Sequence, residues 1–333
     1  MHFSARRVIC AILLSALCGV FAPPTRLPAA AGRWIANNCV APDGAITVRP
    51  GGRRVSGYFG NLTALGLAHA GREPGVVLGW LRWYIAHARK SPNDVPDDAT
   101  LGSGGHVAST HQPDSTDAYA ATFLMLAWAA YRGGTPVLRA FVIQHRSAIE
   151  RIALSTVATQ QRDGLTWARP SHHVAYAIDN AQVYRGLLDG ASMAGAAYHD
   201  FTFSRLLLRD AKRVKRGMLQ FLWNPQLQTF RPFIGARSAV LYPNADMHVP
   251  YPDALAQATA VLYGILSPKG ARATALLQRA RPALARPSPG ANALEFKFIY
   301  IAARKQIGRR VRPIRFSPPP LCSEAGWELL LYR

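Results

Sequence analysis

The chain has 333 residues, with 39 lysines and arginines against 18 aspartates and glutamates, a formal net charge of +21 and a pI near 10.6. At 49% hydrophobic residues it has a globular composition, which excludes a disordered polycation. The charge predicts attraction to polyanions, and with no nucleic-acid-binding motif the expected partners are anionic polysaccharide, lipid head groups or an envelope surface; a generic arginine-rich surface is the alternative.

Residues 1–31 read as a secretory signal peptide. Arg6 and Arg7 make the positive start, residues 8–22 a short apolar core, and Ala29, Ala30 and Ala31 offer small residues for cleavage near Ala31. An uncleaved N-terminal anchor is the other reading. The remainder, 32–333, is expected to be a single domain without a transmembrane helix, periplasmic or secreted. Cys10 and Cys18 leave with the leader. Cys39 and Cys322 remain, a pair that in an oxidising compartment predicts a disulfide joining the two ends, with two unpaired buried thiols as the alternative.

Helical period dominates the rest of the chain. A ragged helix at 32–38 and a short strand at 45–48 precede helices at 61–70 and 75–90. The latter carries Trp80, Trp83 and Tyr84 at i, i+3, i+4. Further helices are predicted at 115–132, 136–159, 180–197, 201–223, 252–266, 269–283 and 292–308, with a short strand at 239–242. Trp80, Trp83 and Trp128 read as core. The stop-and-start signals Gly133-Gly134-Thr135-Pro136 and Ser267-Pro268 make tight turns, hence antiparallel helical hairpins. Long connections at 91–113, 160–178 and 224–251 separate the hairpins, whose starts lie at Asn61, Asp114, Asn180, Asp253 and Asn292. The alternation of short and long connections predicts an all-α toroid of antiparallel hairpins, with the long loops over one cleft.

Three helix starts carry acids after a long loop: Asp114 with Asp117, Asp179 followed by Asn180, and Asp253. Locally, Asp114 or Ser115 with Asp117 reads as a helix cap, where acids suit the dipole. In a closed ring the same carboxylates converge. Paired carboxylates are what glycoside cleavage uses: one protonates the leaving oxygen while the other attacks or activates water. Burial and like charge would raise one pKa for the acid role. Asp117 and Asp179 are the expected acid/base pair, with Asp114 assisting. The expected binding residues are Tyr58, Asn61, Trp167, Arg169, His173, Tyr176, Asn180, Arg185 and Asp253, with Phe59 at the same mouth. Aromatic faces stack on sugar rings, and arginine pairs with uronate carboxylates. Asp163-Gly164 reads as a turn. His106, His111, His172, His173 and His248 show no ligand spacing, and no phosphate loop, GxSxG or HExxH occurs, so neither a metal nor a cofactor is expected.

These hairpins with acid-bearing inner-helix starts resemble the six-hairpin, (α/α)6-barrel glycosidase superfamily. The Asp179-Asn180 start resembles the acid-bearing segment of unsaturated glucuronyl hydrolases, and the Asp114/Asp117 segment resembles the partner position on an earlier inner helix. The resemblance implies an exported hydrolase of polysaccharides or oligosaccharides, anionic ones included. About five full hairpins can be counted, so the ring is (α/α)6-like or a trimmed (α/α)5 version. The His-His-Asp approach those hydrolases often show is missing. Two other readings stay open: a uronate polysaccharide lyase centred on His172, Tyr176 and Arg185, and a non-catalytic envelope protein that binds exopolysaccharide.

Overall fold

The computed structural model describes residues 26–89, 94–102, 107–235, 244–286, 292–310 and 316–332. Its helices, in chain order, are α1 (Arg26–Asn38), α2 (Gly57–Ala70), α3 (Pro74–His87), α4 (Thr116–Gly133), α5 (Pro136–Gln144), α6 (Arg146–Ser155), α7 (Ala177–Ala197), α8 (Phe201–Gly217), α9 (Leu255–Leu262), α10 (Ala271–Ala285), α11 (Ala293–Gln306) and α12 (Cys322–Leu330). Packing runs from α2 to α4, α7, α9, α11 and α12 and back to α2, which closes a ring of six inner helices. Outside it, α1 packs on α12, α3 on α2, α5 and α6 on α4, α8 on α7, and α10 on α9 and α11. This is the all-α toroid expected from the hairpin pattern, closed at six rather than five.

The inner helices share one direction. Tyr58, Ser115, Asp179, Leu255 and Glu295, from the first turns or caps, line one cavity. His69, Arg132, Leu262, Lys305 and Leu330, from the far ends, line a second. The backbone N–H of Glu295 donates to Glu324 on the first turn of α12, so α12 starts at the same end. Six N-termini therefore gather round one mouth, where their dipoles present partial positive charge.

The sixth inner helix is short and hard to see in the sequence. CSEAGWELL spans nine residues and buries Ser323, Glu324 and Glu328 as well as its apolar side chains. Gly326 meets Gly66 where α12 crosses α2, and a Cβ on Gly66 would overlap the Gly326 carbonyl. Only glycine allows this approach. Cys39, just beyond α1, and Cys322 form the expected disulfide, with Cα atoms 6.0 Å apart across 283 residues of chain. It fastens α12, the closing element of the ring, to the outer helix that covers it.

Other differences have local causes. Helix α2 starts at Gly57, four residues before the apolar period does, because Gly57 and Gly60 admit the rings of Tyr119 and Trp80. The segment 136–159 divides at His145 into α5 and α6. The strand expected at 45–48 is reduced to single bridges, Val40 with Ile46 and Thr47 with Val55. Trp80 and Trp83 are core, and Trp128 is half-buried against it, as expected. Asp163 Oδ1 accepts from the Leu165 N–H, and Gly164 has φ +94°, which makes the expected turn. Ala31 is buried within α1, so a cut there would divide that helix. The leader residues before Arg26, His106 and the strand at 239–242 lie outside the described residues. Among the described residues no helix is long and apolar enough to cross a membrane.

Short antiparallel strands trim the loops. β1 (Arg54–Val55) pairs with β2 (Ala99–Leu101) and β2 with β3 (Val107–Ser109); β4 (Val174–Tyr176) pairs with β7 (Phe233–Gly235); β5 (Trp223–Asn224) pairs with β6 (Thr229–Phe230). The β4–β7 pair ends at the start of α7 and ties two of the long connections together at the mouth.

Candidate active site

The mouth cavity has a volume of about 550 Å³. Its charged centre is built by the starts of α4 and α7. Ser115 is extended and caps α4, its Oγ accepting from the Ala118 N–H at 3.3 Å. The same Oγ lies 2.6 Å from Asp117 Oδ1 and 3.3 Å from Asp179 Oδ2. The two carboxylate oxygens are thus closer together than those two distances added. The cap is thus also the bridge between the two acids, with Ser115 rather than Asp114 at the cap position.

The environments of the two acids differ. Asp117 is wholly buried and its oxygens are fully used: Oδ1 accepts from Ser115 and from the Ala118 N–H at 2.7 Å, and Oδ2 accepts from Thr166 Oγ1 at 2.6 Å. Burial pushes its carboxyl up to about 6, against the lowering effect of those hydrogen bonds. Asp179 is half-buried and faces the cavity. Burial, then the negative charges of Asp117 and Asp114, hold it well above the usual carboxylate range. Among the described residues no cation pairs with it. Asp114 is exposed on the same wall.

A third carboxyl lies on the cavity wall, besides Asp114 and Asp179: Glu295, in the first turn of α11. Trp327 Nε1 donates to it at 3.3 Å and Ser323 Oγ at 3.4 Å. Burial pushes it up to about 8; the Trp327 hydrogen bond opposes this and the neighbouring charge of Glu324 adds to it. Glu295 is absent from the sequence-based candidates: it is an acid in the first turn of an apolar helix, like the others, but its helix follows no long loop.

Aromatic side chains complete the cavity. Tyr251, whose peptide bond to Pro252 is cis, stacks on Phe296 at 6.0 Å between centroids and 7° between planes. Tyr58, Phe59 and Tyr176 line it as expected. His172 Nε2 lies 3.2 Å from Tyr176 Oη. Arg169 also lines it; its Nη1 donates to the Pro113 carbonyl at 3.0 Å, while its Nε is buried without a hydrogen-bond partner.

Several expected binding residues are elsewhere. Asn61 is in the core: its Oδ1 accepts from Trp80 Nε1, and its Nδ2 donates to the Tyr119 carbonyl and Thr122 Oγ1. The early start of α2 puts it one turn below the mouth. Asn180 is buried, exchanging hydrogen bonds with the backbone of Thr166, and so holds the Thr166 hydroxyl on Asp117. Arg185 is two turns further along α7, paired with Asp189 at 2.5 Å, and lines the far cavity, which separates it from His172 and Tyr176. Asp253 is buried and accepts from the Asp246 N–H at 2.8 Å, fixing the loop before α9. Trp167 stacks on His173 at 3.9 Å, beside rather than on the cavity lining. No group of three or more potential metal-ligating side chains occurs among the described residues.

No protein-family model matches this sequence, and no curated protein matches it. Solved structures do match in three dimensions. A GH63 mannosylglycerate hydrolase from Thermus thermophilus, in complex with glucose, superposes with a TM-score of 0.61 at 11% identity over 85% of this chain and 88% of that one. The endo-beta-1,4-glucanase CMCax from Acetobacter xylinum superposes with a TM-score of 0.56 at 14% identity over 92% and 97%. A rhamnosidase from Klebsiella oxytoca with rhamnose bound superposes with a TM-score of 0.52 at 15% identity; it covers 75% of this chain, which spans only 46% of that enzyme. The likeness is one of fold alone: a ring of helical hairpins like those of these glycoside hydrolases.

Proposed function

We propose that this chain, built on the six-hairpin glycosidase fold, is an exported glycoside hydrolase that cleaves a polysaccharide or oligosaccharide by carboxylate acid/base catalysis. The observation that carries this reading is the position of Asp179: a carboxyl of raised pKa, facing an aromatic cavity, with a second carboxyl behind it and no cation paired with it among the described residues.

Ser115 has one hydroxyl proton, and its shorter contact is with Asp117. The longer contact is then filled by a proton on Asp179, donated towards Ser115 Oγ. In this arrangement Asp117 carries the charge and Asp179 the proton. Asp179 is the general acid, giving its proton to the glycosidic oxygen as the bond to the anomeric carbon breaks. Asp114, which lines the same cavity, takes the proton of the water that attacks the face of the ring opposite the leaving oxygen. Asp117 does not touch substrate; it positions Ser115 and keeps Asp179 protonated by its charge. Tyr251 and Phe296 offer flat faces for sugar rings, and Arg169 offers a guanidinium to a uronate carboxylate. Export accords with the disulfide. A leader cut upstream of Arg26 would leave α1 whole.

The experiment is digestion of a panel of neutral and uronate-containing glycans, with reducing ends and ultraviolet absorbance followed together. New reducing ends without absorbance support the hydrolase. The His172–Tyr176 contact favours a second reading, a uronate lyase with Arg169 in place of Arg185. Its product carries a conjugated double bond, so absorbance would rise with cleavage.

A further inference from the structure

Helix α8 lies outside α7 and is the most strongly basic segment of the described chain. Its outward face follows one stripe at three- and four-residue intervals: Phe201, Arg205, Leu208, Arg209, Lys212 and Arg216 are all exposed. The stripe continues to Leu219, in the π-helical turn Met218–Leu222 that extends α8. Phe201 is 64% exposed and Leu219 40%.

The stripe holds no acid. Asp210, the acid within α8, is buried on the inner side and paired with Arg209 and Arg213. Asp200, at the N-cap, is taken up by the Phe203 N–H and by Arg146. The unbalanced cations therefore face outward among exposed aromatic and leucine side chains. A polyanionic glycan could use the cations and the Phe201 ring but would leave the aliphatic Leu208 and Leu219 in water. A bilayer with anionic lipids satisfies both: phosphates meet the cations, and the apolar side chains enter the acyl boundary. From Phe201 to Leu219 the stripe runs about 27 Å, at about 1.5 Å per residue.

We infer that α8 is a peripheral docking face for anionic phospholipid bilayers. Docking by this flank lays the toroid axis along the membrane and leaves the mouth cavity open at the side.

The test is co-sedimentation of the purified protein with vesicles of phosphatidylcholine alone or mixed with phosphatidylglycerol. Three triple variants are compared: Arg205→Gln/Lys212→Gln/Arg216→Gln on the stripe, Phe201→Ser/Leu208→Ser/Leu219→Ser for its apolar part, and Arg33→Gln/Arg53→Gln/Arg82→Gln as a charge-matched control away from α8. Thermal melting verifies that each is folded. The expected result is binding to the mixed vesicles only. Each stripe variant should weaken it by about tenfold or more, and the control should stay within about twofold. Equal loss in the control would reduce the effect to overall charge and overturn the inference. So would wild-type binding by the apolar variant, or an absence of vesicle binding. Retention on immobilised acidic polysaccharide by a protein that ignores the vesicles would assign the face to glycan instead, and overturn it equally.

Discussion

Asp117 and Asp179 are joined through a single hydroxyl: Ser115 Oγ lies 2.6 Å from one carboxylate and 3.3 Å from the other. One of the two is sealed in the protein and the other opens on the cavity. Two acids this close are pushed apart in pKa, and burial with the neighbouring negative charges holds Asp179, the member at the cavity, well above the usual carboxylate range.

The sealed acid is expected to act through its neighbour. Asp117→Asn removes the charge that helps to raise Asp179, so the pKa of Asp179 falls. Activity that needs protonated Asp179 should then decline at lower pH, moving the alkaline limb of the pH–rate profile to the acid side. The same change disturbs buried hydrogen bonds from Ser115, Thr166 and Ala118 and should cost about 1–3 kcal/mol of stability. A variant with lowered melting temperature but an unmoved alkaline limb would leave Asp117 with a structural role alone.

Glu295 predicts a pH dependence of stability. Its folded-state pKa of about 8 lies above its ordinary 4.5. The folded protein therefore holds this proton more tightly than the unfolded chain. The stabilisation is complete below 4.5 and is lost as the pH rises through about 8. Across that window the wild type should lose melting temperature relative to Glu295→Gln. Parallel curves for the two proteins would contradict the burial of Glu295 as a neutral acid.

The disulfide should matter in proportion to the loop it closes. Cys39 and Cys322 are 283 residues apart. In the chain-entropy account, the double variant Cys39→Ser/Cys322→Ser should lose about 2–5 kcal/mol in denaturant unfolding. The first element to loosen should be α12, seen as faster amide exchange there than in α4 or α7. Unchanged stability and exchange would mean that the glycine crossing of α2 and α12 closes the ring unaided.

The inner ring was legible wherever helices are long and follow long loops. The acid-bearing starts of α4 and α7 announced the mouth because the same residues that cap a helix must converge when helices run parallel round a ring. What was hidden had local reasons. Helix α12 is nine residues of mixed polarity, buried by tertiary packing rather than by an apolar stripe. Asn61 and Asn180 look like cleft residues, but the side-chain amide of each is consumed by neighbouring groups that no one-dimensional pattern places beside it. Arg185 sits on the correct helix at the wrong height. Glu295 bore the right signal and went unchosen because its helix follows no long loop.

The most direct measurement of the central claim is glycan cleavage by Asp179→Asn, followed as reducing ends on a substrate the wild type cleaves, with the melting temperature taken alongside. The account predicts a loss of about 10²-fold to 10⁴-fold in turnover with little change in melting temperature, because the carboxyl sits at the cavity and its one hydrogen bond is long. Normal turnover by a folded Asp179→Asn would contradict it.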